Sequence, residues 1–216
     1  MRSELQYVLN ILNIDESLAG RIPYRPIEIP EFTRAAGLAP LFGKLAYAKG
    51  AEIGVERGKF TEVLCIANPQ AKIYAVDPWK AYRGYRDHVS QEKLDGFYDD
   101  AAERLKAHNC ELVRKFSHEA AEGFADNELD FVFIDANHRL ECVINDIVIW
   151  EKKVRPGGII SGHDYRQFKR QTYSHIPEAL AAYTQSYRIH PWFLCGLRSE
   201  PNTVRDSARS WFWVKE

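Results

Sequence analysis

In the stretch "AEIGVERGKF", residues Ala51 to Phe60, an apolar run carrying Glu52 leads into a turn with glycines at positions 54 and 58. Glycines at a turn of this kind let a ligand approach the backbone closely, and the residues between them decide which ligand. A dinucleotide cradle needs G-x-G-x-x-G, in which the second glycine admits the pyrophosphate. Glu56 stands at that position, and a carboxylate there repels a phosphate. The lysine that follows, Lys59, precedes Phe60 and not Ser or Thr, so no P-loop forms either. With Glu52 adding a second carboxylate, the turn favours a positively charged ligand.

Asp77 closes the next apolar run, "KIYAV", about 20 residues beyond Gly58, where a carboxylate can accept both hydroxyls of a ribose. A ribose on one side and a cation on the other together describe S-adenosylmethionine, which carries an adenosine, a sulfonium and an ammonium. The alternative for Gly54 and Gly58 alone is an ordinary tight strand-to-helix turn. The spacing to Asp77 argues for the ligand.

The elements that must position these residues alternate along the chain. "AEIGV" reads as a strand, and "GKFTEVLCIA" carries Phe60, Val63, Leu64 and Ala67 at helical spacing until Asn68-Pro69 stops it. "KIYAV" is the next strand. A helix from about Ser90 aligns Leu94, Tyr98, Ala101 and Leu105. "CELVRKF" is a short strand, and "LDFVFID" is apolar on both faces, as a central parallel strand should be. From His138 to Val154 the set Leu140, Val143, Ile144, Ile147 and Val148 makes an amphipathic helix, and "RPGGIISG" turns into another buried strand. "SYRIHPWFLCGL" and "SARSWFWVKE" read as an antiparallel edge pair. The expected fold is α/β: a doubly wound, Rossmann-like, three-layer arrangement. Residues 1–48 read as a helical, proline-punctuated extension and 49–216 as the main domain. In the extension, Leu5, Val8, Leu9 and Leu12 share a helical face that packs on the sheet or on a second copy in a homodimer, the sharper alternative being a lid.

Composition narrows the class. A net charge of −1 gives no footing for nucleic acid or an anionic membrane. No apolar run of about 18 residues suggests a span, and the start lacks the pattern of a signal peptide. Cys65, Cys110, Cys142 and Cys195 form no CxxC pair, so reduced thiols in a cytoplasmic protein are expected and zinc is not.

Taken in order, "AEIGVERGKFTEVL", "YAVDPW", "FVFIDANHRLECVINDIVIW" and "VRPGGIISGHDY" resemble the small class I S-adenosylmethionine-dependent methyltransferases, in particular the bacterial branch with Asp-x-x-His after the fourth strand and Gly-His-Asp-Tyr at the fifth. The resemblance covers roughly Ala51 to Tyr165. It implies a seven-stranded sheet with one antiparallel strand and methylation of a hydroxyl on a small-molecule or sugar-like acceptor. By position, it assigns Glu52, Gly54 and Gly58 to the methionine side of the cofactor and Asp77 to the ribose. Trp79 falls near the adenine face, Ser117 at the adenine amino group, and Asp135 near the methionine ammonium and transferred methyl. Ala136, Arg139 and Leu140 depart from the common residues of the family, which bears on the acceptor side.

Methyl transfer to a hydroxyl requires the acceptor to lose a proton to a base or at a metal. His118, His138 and His163 follow strands at the ligand-binding edge, and His88 lies in the loop after Asp77. His138 and His163 flank the expected methyl position and are the candidate bases, with Asp164 beside them as a catalytic carboxylate. Asp135 and Asp164 also match strand ends where catechol-type relatives hold magnesium. Trp79, Tyr82, Arg83, Tyr85 and Arg86 offer a polar and aromatic clamp for the acceptor. The competing readings are a nicotinamide- or sugar-nucleotide-binding enzyme, against which Glu56 speaks, and a non-catalytic S-adenosylmethionine-binding module.

Overall fold

The computed structural model describes residues 4–15, 17, 25–82, 90–166, 174–196 and 208–216. Eight strands form one sheet: β1 (Ile27–Ile29), β2 (Lys49–Ile53), β3 (Lys72–Val76), β4 (Cys110–Val113), β5 (Leu129–Ile134), β6 (Val154–Tyr165), β7 (Phe193–Cys195) and β8 (Arg209–Val214). Their spatial order is β1-β7-β8-β6-β5-β2-β3-β4. β8 runs antiparallel to both β6 and β7, and the other pairings are parallel. The tail is therefore the antiparallel pair that its sequence suggests.

Among the described residues the strand count is eight where seven were expected. The extra strand comes from the proline-punctuated segment before residue 49, whose Ile27, Glu28 and Ile29 pair with Phe193, Leu194 and Cys195. Period-two patterning did not reveal it, because only three residues pair and prolines crowd both sides. As an edge strand, β1 tolerates those prolines.

Helices cover both faces. On one lie α1 (Glu4–Ile11), α2 (Ala39–Lys44), α3 (Lys59–Ala67) and α4 (Gln91–Leu105); on the other lie α5 (Ser117–Ala121), α6 (Leu140–Lys153) and α7 (Ile176–Ser186). β5 shows why both faces must be covered. Phe131 and Phe133 enter the first core, while Leu129, Val132 and Ile134 enter the second, all of them buried. Val8 and Leu9 of α1 are buried in the first core, with Leu5 and Leu12 packed against it. A short π-helical turn, Arg34–Leu38, leads into α2 and is capped by Thr33, whose hydroxyl accepts from the Ala36 amide at 3.0 Å. Residues 27–48 are thus built into the sheet and its core.

No helix among the described residues is long and apolar enough to cross a membrane. The four cysteines are free thiols.

Candidate active site

Register aligns the candidate residues. Ile53 pairs with Val76 on one side and with Ile134 on the other, and Ile134 pairs with Gly162. The next residue on each strand therefore falls in one row: Asp77, Gly54, Asp135 and His163. Two backbone bonds carry the ladder into that row, from Gly54 N to Val76 O at 2.9 Å and from Asp135 N to Ile53 O at 2.7 Å. This is the carboxyl edge of the parallel strands, where doubly wound sheets bind ligands.

Gly54 has φ +92°, and a Cβ there would lie 2.2 Å from the Asp135 carbonyl oxygen, so only glycine fits. Gly58, with φ +72°, caps the N-terminus of α3. Asp77 binds the turn between them: Oδ2 accepts from the amides of Val55 (3.0 Å) and Glu56 (3.1 Å), and Oδ1 from Trp79 (2.8 Å). Burial raises its pKa, and these three bonds pull it back. Trp79 is 1% exposed, and its indole N–H donates to the Glu56 carbonyl at 2.7 Å. Its ring edge meets Tyr98. Trp79 is a buried anchor beneath the turn, with no open face for stacking.

Glu52 is 2% exposed and accepts the Thr61 hydroxyl from α3. Burial pushes its pKa up to about 8, with Thr61 drawing it down and Asp135 adding to the rise. Burial thus favours the neutral carboxyl. A cation placed nearby would reverse that preference.

Beyond Asp135 in the same row lies a cluster of acids and imidazoles. His138 Nε2 lies 3.0 Å from Asp164 Oδ2 and 3.9 Å from Asp135 Oδ1. His163 Nδ1 lies 3.4 Å from Asp164 Oδ1 and 3.8 Å from Asp135 Oδ2. The two histidines differ in access: the His138 side chain is 25% exposed, whereas that of His163 is 5% exposed. Burial lowers the His138 pKa, but bonds with Asp135 and Asp164 outweigh it and bring the ring to about 10. Asp164 has φ +56°, a left-handed backbone unusual for aspartate. Burial raises its carboxyl, but the two imidazoles hold it well below the usual carboxylate range. One donor atom each from Asp135, His138 and Asp164 lie within 4.8 Å of one another, a set that could hold a metal ion.

The family described as "Methyltransferase domain" matches residues 51–165, more than half of the 216-residue chain. The chain belongs to this family. It is a class I methyltransferase, the enzyme class that takes its methyl group from S-adenosylmethionine. Among solved structures it resembles an O-methyltransferase from Bacillus cereus in complex with SAH, at 16% identity over 100% of this chain and 92% of that one, with a TM-score of 0.59. The O-methyltransferase TomG from Streptomyces achromogenes is similar at 16% identity, 83% of this chain and 78% of that one, TM-score 0.55. Spermidine synthase from Thermotoga maritima matches at 15% identity, 82% of this chain and 57% of that one, TM-score 0.55. At these identities the likeness is one of fold. No curated protein matches the sequence.

Within this methyltransferase the structure gathers Glu52, Gly54, Gly58, Asp77, Asp135, His138, His163 and Asp164 at one sheet edge. Ser117 begins α5, and its hydroxyl is engaged: it donates to Asp146 and accepts from the Trp150 indole at 2.9 Å. His118 stands exposed on α5 and stacks on Phe116. Tyr82 accepts from the Asn137 amide at 3.2 Å, joining the loop after β3 to the loop after β5. Arg83, Tyr85, Arg86 and His88 lie outside the described residues.

Sequence reasoning missed two participants. His175 caps α6, its Nδ1 accepting from the Leu140 amide at 3.1 Å, and its own amide donates to the His138 carbonyl at 2.8 Å. Arg34 approaches from the N-terminal segment, with Nη1 3.2 Å from Asp135 Oδ2 and the guanidinium 4.9 Å from the Phe60 ring centroid. A lone arginine in a proline-rich stretch carries no motif that would have flagged it.

Proposed function

We propose that the chain binds S-adenosylmethionine across β2 and β3 and methylates a hydroxyl of a small-molecule or sugar-like acceptor held over β5 and β6. The observation that carries this reading is the row of Asp77, Gly54, Asp135 and His163 across four adjacent strands, with His138 closing over its acidic end. Asp77 and the Gly54–Gly58 turn hold the ribose and methionine sides, and Ser117 lies at the adenine end. When bound, the donor would supply a methyl carbon on a sulfonium; an acceptor oxygen that gives its proton to a base would attack that carbon in line as the carbon–sulfur bond breaks and the neutral thioether, S-adenosylhomocysteine, leaves.

His138 is the better base of the two imidazoles, because a base must reach the acceptor and His163 is nearly enclosed. His163 instead orients Asp164. Asp135 and Asp164 favour the protonated form of the His138 imidazole. Positive charge against those carboxylates lowers its affinity for that proton, which couples readiness of the base to occupancy of the site. A divalent cation fits the same residues: Asp135 and Asp164 offer the oxygen donors that magnesium prefers, with His138 completing the set. Such an ion would polarise the acceptor oxygen.

Calorimetry with S-adenosylmethionine, NAD and a nucleotide sugar tests the reading. Binding of the first alone is expected, and NAD binding would overturn the interpretation of the Glu56 turn.

A further inference from the structure

Asp135 is shared between the two halves of the site, and on its cofactor side it is met by Arg34. The segment that carries Arg34 is capped and packed into the core. Thr33 caps its turn, Leu38, Ala39, Leu41 and Phe42 immediately after it are fully buried, and Gly37 lies so close under Phe32 that a Cβ would come within 2.7 Å of the ring. The residue is 7% exposed, and its guanidinium rests on Phe60 in the first turn of α3, directly after the Gly54–Gly58 loop. Burying a guanidinium and a carboxylate together is costly, and such a pair is weak evidence of stabilisation. Its position suggests recognition.

We propose that Arg34 binds the α-carboxylate of the donor's methionine end, while Asp135 takes the neighbouring ammonium. This rests on the S-adenosylmethionine reading of the site. An α-amino acid presents one positive and one negative group on adjacent carbons, and Arg34 with Asp135 presents the opposite pair at 3.2 Å. The Gly54 backbone packs against the Asp135 carbonyl, so the methionine-side turn and this ion pair are contiguous. Arginine suits the task because its fork matches a carboxylate and its charge does not titrate away. The N-terminal segment thereby becomes part of the cofactor site.

S-adenosylmethionine and its decarboxylated form differ only in the carboxylate, so their affinities read Arg34 directly. The wild type should prefer S-adenosylmethionine by about 10- to 100-fold, the scale of one charge-assisted pair. Arg34→Gln should erase that preference while leaving affinity for the decarboxylated form within about threefold. Arg34→Lys, which keeps the charge and loses the fork, should retain part of it. A full preference in both variants, or an equal loss of affinity for both ligands, would overturn the assignment. A wild type that binds the decarboxylated form as well as S-adenosylmethionine would overturn it while leaving the donor site intact, and one that binds neither would fail the reading beneath it.

Discussion

His138 Nε2 stands 3.0 Å from Asp164 Oδ2, joining the loop after β5 to the end of β6 across the mouth of the site. The contact ties the accessible imidazole to a carboxylate on a left-handed backbone, so the proposed base and the proposed cation site would be two uses of the same atoms. His138→Ala should lower kcat by about 10²- to 10⁴-fold with S-adenosylhomocysteine affinity nearly unchanged. His163→Ala should act more weakly, since that ring is enclosed and reaches the acceptor only through Asp164. If a divalent cation shares the site, a chelator should abolish turnover, magnesium should restore it, and Asp135→Ala and Asp164→Ala should both be inactive. Full turnover in chelator, together with a collapse in His138→Ala, would assign the proton transfer to the imidazole alone.

Asp77 holds its own loop as well as the proposed ribose. Asp77→Ala removes three backbone contacts, so it should lower Tm and also weaken S-adenosylmethionine by ~2 kcal/mol or more. Asp77→Asn separates the roles: its amide oxygen can still accept from Val55 and Glu56, while the charge that favours ribose hydroxyls is gone. Wild-type affinity in Asp77→Ala would remove the ribose assignment.

Asp146 supplies a pH-dependent stability. Burial lifts its carboxyl from the usual 3.8 to about 6, with the Ser117 bond and His118 pulling the other way. Because the folded pKa exceeds the unfolded one, the folded state binds more protons between about pH 4 and 6, and stability falls as pH rises through that window. The full shift corresponds to about 3 kcal/mol. Asp146→Asn should match the wild type in thermal melts near about pH 4 and exceed it near about pH 8. Parallel melting curves at both pH values would show that the carboxyl ionises as easily folded as unfolded.

The sequence by itself determined the parallel core of the sheet and its ligand edge. Period-two and helical patterns from Ala51 to Tyr165 are long and apolar, and Gly54 has no substitute where its backbone meets Asp135. Glu56 and Asp77 suggested a cationic, ribose-bearing ligand through side-chain type and spacing, both of which are local. Only the tertiary structure decided which histidine is reachable, because His138 and His163 look alike in sequence and differ in what packs around them. It also gave Glu52, Trp79 and Ser117 their partners: their polar groups face Thr61, Glu56 and Asp146, which lie nine or more positions away. The eighth strand and Arg34 were equally hidden. Three paired residues among prolines carry no period, and an arginine 101 positions from Asp135 becomes part of a site only when the chain folds it there.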